Sequence, residues 1–320
     1  MKIVFMETDT LGDDVDYSPF YRLGEVIKYN KSEPSLNPER VRDADVIVVN
    51  KIPMNEETLQ YAEHAKLICL TATGTNTVDF DYVRSKNIAV ANVKSYSTQS
   101  VVQHTFALLF YVYEKLSYYD HFVKSGEYTA SDIFSRFDKK FNELYGKTWG
   151  IIGLGEIGTG VAKVAECFGC KVIYYSSSGK NNSLIYERVD FDTLLKDSDI
   201  ISIHAPLTAG TENLIDETAL KKMKQTAVLL NLGRGKIINE EALASALESG
   251  EITGAGLDVI SVEPMLAENS LLRVKDSTRL IITPHIAWAT VEARRRCLSE
   301  VYENMEAFFR GEERNIVKGN

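Results

Sequence analysis

Arg234, Glu263 and His285 each lie just beyond an apolar run, in AVLLNLGRG, GLDVISVEP and RLIITPH. If those runs are parallel strands, their carboxyl ends open on one crevice, where residues far apart in sequence converge. An arginine offers a forked cation for a carboxylate, and a histidine gives and takes a proton near neutral pH. A glutamate fixes the tautomer of such a histidine. The set suits hydride transfer to or from a 2-keto acid, which needs a carboxylate anchor and a proton for the carbonyl oxygen. Taken singly, each has a plainer reading: a surface charge beside glycines, a solvated Glu-Pro turn and a core histidine. Their recurrence at three successive strand ends favours a shared site.

A second motif points to the hydride carrier. Gly153-Leu154-Gly155-Glu156-Ile157-Gly158 follows the apolar run TWGII and opens an amphipathic stretch with Val161, Ala162, Val164, Ala165 and Phe168 on one side. In a strand-loop-helix context the first glycine permits the tight turn, and the second lets backbone approach a pyrophosphate. The third allows close packing of helix on strand, with the helix N-terminus facing the negative charge. The next run, KVIYYS, ends at Ser176, where an acidic residue would take the ribose hydroxyls of NAD(H). Ser176, Ser177 and Lys180 present hydroxyls and a cation instead. NADP(H) is therefore admitted beside NAD(H) and slightly favoured, the plainer alternative being a polar turn with Lys180 in solvent.

Short apolar runs alternate with helical patterns along the chain, the mark of an α/β fold with parallel sheets covered by helices. Runs at 2–6, 44–50, 66–71 and 88–93 form a small first unit. The segment Ser97 to Lys124 reads as one long helix leading into a second unit of six strands, and Thr290 to Arg310 reads as a helix returning to the first. The expected boundaries are 1–98 and 291–320 for the discontinuous unit and 99–290 for the one inserted in it. Residues 125–147 lack a clean period and read as an excursion that packs on something, such as another subunit. With 320 residues, 44% hydrophobic and 25% charged, the chain is an ordinary globular one. A net charge of -9 without a basic run argues against nucleic acid and anionic membranes as partners. No run is long enough to span a bilayer or to form a signal-peptide core, and four cysteines do not make a disulfide framework, so a cytoplasmic location is expected.

Several of these segments, taken together, resemble the D-isomer-specific 2-hydroxyacid dehydrogenase family over nearly the whole chain. The matching elements are TATGTNTVD at 71–79, YSTQSVVQHTFALL at 96–109, GLGEIG at 153–158 and HAPLTAGTENLI at 204–215. NLGRG at 231–235, GLDV with VEP at 256–264 and PHIAWAT at 284–290 complete them. The resemblance implies a Rossmann-type doubly wound parallel sheet, binding NAD(H) or NADP(H), inserted into a smaller flavodoxin-like α/β substrate domain, and a homodimer. It also implies roles. Arg234 would hold the substrate carboxylate and carbonyl, His285 would be the general acid in reduction and base in oxidation, and Glu263 would orient His285. Backbone amides around Thr73, Gly74 and Thr75 would take the remaining carboxylate oxygen. Asp258 would meet the nicotinamide carboxamide, and His204, Ala205 and Pro206 would line the cofactor. Within the family the motifs look most like bacterial glycerate dehydrogenases, also called hydroxypyruvate reductases, and glyoxylate reductases. Trp288 is placed to wall a pocket for a short substrate, or else is simply packed.

The alternatives are a D-lactate or phenyllactate type of dehydrogenase and a dinucleotide-sensing protein in which catalysis is secondary. A methyltransferase using the glycine loop would leave the three-residue set without a purpose. Cys167 and Cys170 form a Cys-x-x-Cys at the end of a helix with no second ligand pair, and read as structural. His64, His104 and His121 have no metal-like spacing, and no metal is expected. The aromatic stretch at 110–122 reads as a helix at a dimer interface.

Overall fold

The computed structural model describes residues 1–319. They form two compact units, one made of Met1–Ser97 together with the chain from Trp288 onward, the other of Thr98–Ala287.

The smaller unit is a five-stranded parallel sheet of β1 (Lys2–Phe5), β2 (Glu25–Lys28), β3 (Val46–Val49), β4 (Leu67–Leu70) and β5 (Ala89–Ala91). Their order, β2-β1-β3-β4-β5, is the flavodoxin-like one. β3 and β4 are buried along their whole length because both faces are covered, so they read as unbroken apolar runs. Ile3, Phe5, Val46, Val48, Leu67 and Cys69 form one face with Ala293, Cys297, Val301 and Met305 of the helix Val291–Phe309. Val4, Ile47, Val49, Ile68 and Leu70 form the other. Thr290 caps that closing helix, its hydroxyl accepting from the Ala293 N–H.

The larger unit holds β6 (Thr148–Ile152), β7 (Lys171–Tyr175), β8 (Glu187–Arg188), β9 (Ile200–Ile203), β10 (Val228–Asn231), β11 (Gly254–Leu257) and β12 (Leu280–Ile282). The sheet runs β12-β11-β10-β9-β6-β7-β8, all parallel. That is the doubly wound order, with the direction in which successive strands are laid across the sheet reversing between β6 and β9. The helices Thr98–Tyr113 and Glu156–Cys167 cover one face through Val101, Phe106, Leu109, Val161 and Ala165. Leu194, Leu220, Leu243 and Leu247 cover the other.

Three sequence-level expectations change. The larger sheet has a seventh strand, β8, whose two exposed polar residues leave no apolar run to read. β2, an edge strand with no fully buried residue, was likewise absent from the apolar runs. The span from Ser97 to Lys124 is two helices, Thr98–Tyr113 and Leu116–Lys124, broken at Lys115, whose φ of 58° is left-handed. Lys115 Nζ donates to the Thr278 carbonyl at 3.1 Å, and burial holds its ammonium below the ordinary lysine range.

Candidate active site

β10, β11 and β12 are neighbours and parallel, so the turns that follow them leave the sheet on the same edge. After β10, the buried Asn231 organises its turn: its amide donates to the Arg234 carbonyl at 3.0 Å and its oxygen accepts from the Gly233 N–H at 3.0 Å. Arg234 has extended backbone, and its Nη1 donates to the Gly233 carbonyl at 2.8 Å. The next residue must be glycine, because a Cβ on Gly235 would lie 1.9 Å from the Ile260 carbonyl carbon. This close approach presses the Arg234 turn against the turn that carries Glu263.

That second turn follows β11. Glu240 holds it from below, accepting from the Ser261 hydroxyl and the Asn269 amide, each at 2.8 Å. Glu263 Oε2 lies 2.7 Å from His285 Nδ1, with the two side chains about a third and a quarter exposed. A carboxylate only accepts, so Nδ1 carries the hydrogen of this bond and Nε2 is the ring nitrogen left to face a ligand.

His285 itself has a left-handed backbone, with φ of 53°. A side-chain-bearing residue holds that conformation at a cost of about 1–2 kcal/mol unless its surroundings fix it. Asp258 supplies the fixation. Its carbonyl accepts the His285 N–H at 2.9 Å, and its buried carboxylate accepts from Ile286 N–H, Ala287 N–H and the Thr283 hydroxyl at 2.9, 2.9 and 2.6 Å. Three of about four lone-pair positions on that carboxylate are therefore spent on residues 283–287. The family resemblance associates Asp258 with the nicotinamide carboxamide, the plainer reading being a strand-end cap, and these bonds give its carboxylate a capping role.

The glycine loop lies at the reversal between β6 and β9, where open α/β sheets bind ligands. Each glycine meets a separate requirement. Gly153 has φ of 93°, and a Cβ there would lie 2.7 Å from the Ala205 backbone nitrogen. A Cβ on Gly158 would lie 2.3 Å from the Gly153 carbonyl oxygen, so helix and strand need it bare. Gly155 has open space around it, as a residue does when its bareness serves a visitor rather than the fold. The helix Glu156–Cys167 begins there; Glu156 accepts from the Thr98 hydroxyl at 2.9 Å, and Ile157 packs on the core beneath.

His204, Ala205 and Pro206 follow β9 beside this loop, with the His204 N–H donating to the Ile152 carbonyl at 2.8 Å. Both ring nitrogens of His204 are buried and without a hydrogen-bond partner among the described residues. Burial pushes its pKa down to about 3, so the ring is neutral. Orphaned polar atoms beside an open glycine turn fit a polar cofactor edge.

At the end of β7, Ser176 is buried, its hydroxyl accepting from the Asn181 N–H at 3.4 Å, while Ser177 is half-buried and Lys180 exposed. The sequence reading missed Arg188 of β8. Its Nη1 donates to the Gly179 carbonyl at 3.1 Å and to Asn182 Oδ1 at 3.0 Å, which places a guanidinium on the turn after Ser176. Eleven residues, 177–187, separate the two in sequence.

Thr73, Gly74, Thr75 and Trp288 belong to the smaller unit. The Thr73 carbonyl accepts from Asn92 Nδ2 and its hydroxyl donates to the Val93 carbonyl, both at 2.7 Å, which fixes the turn after β4. Trp288 packs edge-on against Tyr96, ring centres 6.2 Å apart. All four cysteines are free thiols, and no group of His, Cys, Asp and Glu suited to a metal ion occurs among the described residues.

Residues 106–287 match the model of the D-isomer specific 2-hydroxyacid dehydrogenase, NAD binding domain. The chain belongs to this family. It is 36% identical to a glycerate dehydrogenase of Methylorubrum extorquens and 37% identical to a hydroxypyruvate reductase of Blautia hydrogenotrophica, with 99% of each chain covered in both cases. Among solved structures, an acyclic imino acid reductase in complex with NADPH and D-Arg matches with a TM-score of 0.86 at 30% identity, covering 99% of this chain and all of that one. This 2-hydroxyacid dehydrogenase is thus an NAD(P)-dependent oxidoreductase acting on CH–OH groups, and its larger unit is the dinucleotide-binding domain. No helix of the described residues is long and apolar enough to cross a membrane.

Proposed function

We propose that the chain interconverts small 2-keto and D-2-hydroxy acids, with hydroxypyruvate and glyoxylate reduced to D-glycerate and glycolate. The observation that carries this reading is the 2.7 Å pair of Glu263 and His285, held beside the Arg234 turn. The nicotinamide, when bound, donates the hydride in reduction and accepts it in oxidation. Arg234 grips the substrate carboxylate and polarises the carbonyl. His285 Nε2 gives a proton to the carbonyl oxygen in reduction and takes it back in oxidation. Glu263 keeps Nδ1 as the donor and stabilises the imidazolium while it exists. The turn Thr73, Gly74 and Thr75 is assigned to the carboxylate and Trp288 to the pocket wall.

For the cofactor, Gly153, Gly155, Glu156, Ile157 and Gly158 would cradle the pyrophosphate, with His204, Ala205, Pro206 and Asp258 toward the nicotinamide. Ser176, Ser177, Lys180 and Arg188 favour NADPH, since no carboxylate follows β7 to repel a 2′-phosphate and two cations stand on that turn. Ile133, Phe134, Phe137 and Phe141 are more than half exposed within nine residues, a concentration of apolar surface that supports a homodimer. Free thiols, three of them buried, accord with a cytoplasmic location.

The test is a matrix of initial rates, with hydroxypyruvate, glyoxylate, pyruvate, phenylpyruvate and oxaloacetate each against NADPH and NADH. Dominance of hydroxypyruvate or glyoxylate supports the reading, whereas a preference for pyruvate or phenylpyruvate moves the chain to the lactate or phenyllactate type. Cofactor binding without turnover of any keto acid would make it a dinucleotide sensor. Arg234→Ala is expected to weaken keto-acid use by about a hundredfold, as loss of a forked ionic bond does.

A further inference from the structure

We propose that His104 is a positioning residue for the proton donor, acting through Thr283 and Asp258 on the turn that carries His285. The inference rests on the assignment of His285 as that donor.

His104 lies on the helix Thr98–Tyr113, which packs over β10, β11 and β12, and has no place in the proton or hydride steps. Its Nε2 is 3.0 Å from Thr283 Oγ1, and Thr283 Oγ1 is 2.6 Å from Asp258 Oδ1. A threonine hydroxyl has one hydrogen. The other acceptor within reach, the Leu257 carbonyl, is 3.5 Å away, so the hydrogen goes to the carboxylate. The hydroxyl oxygen must then accept from His104, which requires hydrogen on Nε2. A single tautomer of His104 therefore completes a directed chain from imidazole N–H to hydroxyl to carboxylate. Burial favours the neutral ring, against the pull of Asp258.

The chain ends where the strain is. The Asp258 carboxylate that receives the Thr283 hydrogen also receives the N–H groups of Ile286 and Ala287, the two residues after His285. The Asp258 carbonyl takes the N–H of His285 itself. If the His104 donor is lost, Thr283 Oγ1 keeps its bond to Asp258 but loses the contact that holds its rotamer. One of the three donors to the carboxylate is then held less firmly, and the left-handed turn loses part of its fixation. Proton delivery needs Nε2 aligned within a fraction of an ångström, so a looser turn appears as a lower kcat rather than a poorer hold on the keto acid.

The experiment compares His104→Leu, His104→Gln, His104→Asn, Thr283→Val and the double variant H104L/T283V with wild type and with His285→Ala. Steady-state kinetics are accompanied by thermal midpoints and NADPH titration. Glutamine reaches the Nε2 position with an amide N–H, whereas asparagine stops at Nδ1. H104L and T283V should each lower kcat about tenfold, the size of one lost hydrogen bond, with keto-acid KM within about twofold. H104Q should restore most of the loss and H104N should not. The double variant should be no slower than the single ones, because both break the same chain. Nitrogen-15 NMR of labelled histidine in the wild-type protein reads the tautomer without turnover and does not depend on any variant folding. Hydrogen on Nε2 of His104 supports the proposal, and hydrogen on Nδ1 alone overturns it. So would wild-type kcat in H104L while H285A is inactive, or losses that multiply to about a hundredfold in the double variant. Full activity of H285A would instead remove the proton-donor assignment beneath it.

Discussion

Replacing Glu263 by glutamine changes one charge at the centre of the site and little else in shape. The Glu263 to His285 bond is 2.7 Å long and joins side chains about a third and a quarter exposed. At such a half-open position an effective dielectric near that of a protein surface applies, and the bare Coulomb energy of about 6 kcal/mol at this separation overstates the net effect. Charge-assisted hydrogen bonds contribute about 1.5–3 kcal/mol net. That interaction is felt mainly while the ring is imidazolium, so its loss should fall on the proton-transfer step. The expected outcome for Glu263→Gln is a kcat for keto-acid reduction lower by about ten- to a hundredfold, a keto-acid KM within about twofold of wild type, and unchanged cofactor binding. Stopped-flow single turnovers, following the reduced nicotinamide, would show whether the loss lies in chemistry rather than product release. If kcat stays within twofold, or if the whole effect appears in KM, then Glu263 does not support His285 in the way the geometry implies.

Gly155→Ala should leave the thermal midpoint nearly unchanged, because its Cβ enters open space, yet weaken dinucleotide binding by at least tenfold in a fluorescence titration. Gly158→Ala, with a Cβ 2.3 Å from the Gly153 carbonyl, should lower stability by about 1–3 kcal/mol in urea unfolding. Arg188→Glu should raise the KM for NADPH about tenfold or more and leave that for NADH within twofold, and an unaltered ratio would remove Arg188 from the 2′-phosphate. His204 has its folded pKa depressed to about 3 against about 6.5 unfolded, so the unfolded chain gains a proton first as pH falls. Stability without cofactor should therefore decline from about pH 6.5 downward, by roughly 2 kcal/mol at pH 5, and His204→Leu should flatten that part of the curve in pH-dependent denaturation.

What the sequence disclosed and what it hid follow from burial. β3, β4, β9 and β10 are covered on both faces and appear as plain apolar runs, so the residues after β10 can be placed at a strand end from spacing alone. β2 and β8 lie at sheet edges, where water leaves composition unconstrained, and β8 carries Arg188 out of view with it. Glu263 and His285 were legible because each follows a recognisable run. The contact of His104 with Thr283 joins residues 179 apart, the inward bonds of Asp258 join residues 25–29 apart, and the break at Lys115 turns on one left-handed residue. No local pattern encodes these.

The helix Val291–Phe309 completes a sheet whose strands all precede residue 92. During synthesis, about 190 residues of the larger unit emerge between the sheet and its cover. At about 5–20 residues per second, that interval is roughly ten to forty seconds. Throughout it, Ile3, Phe5, Val46, Val48 and Leu67 have no helix against them, while the uninterrupted larger unit has everything it needs to collapse. The nascent chain therefore presents a sticky half-formed layer to chaperones, and a premature stop codon between residues 288 and 291 should yield a protein that keeps a folded nucleotide-binding unit but aggregates through the uncovered one.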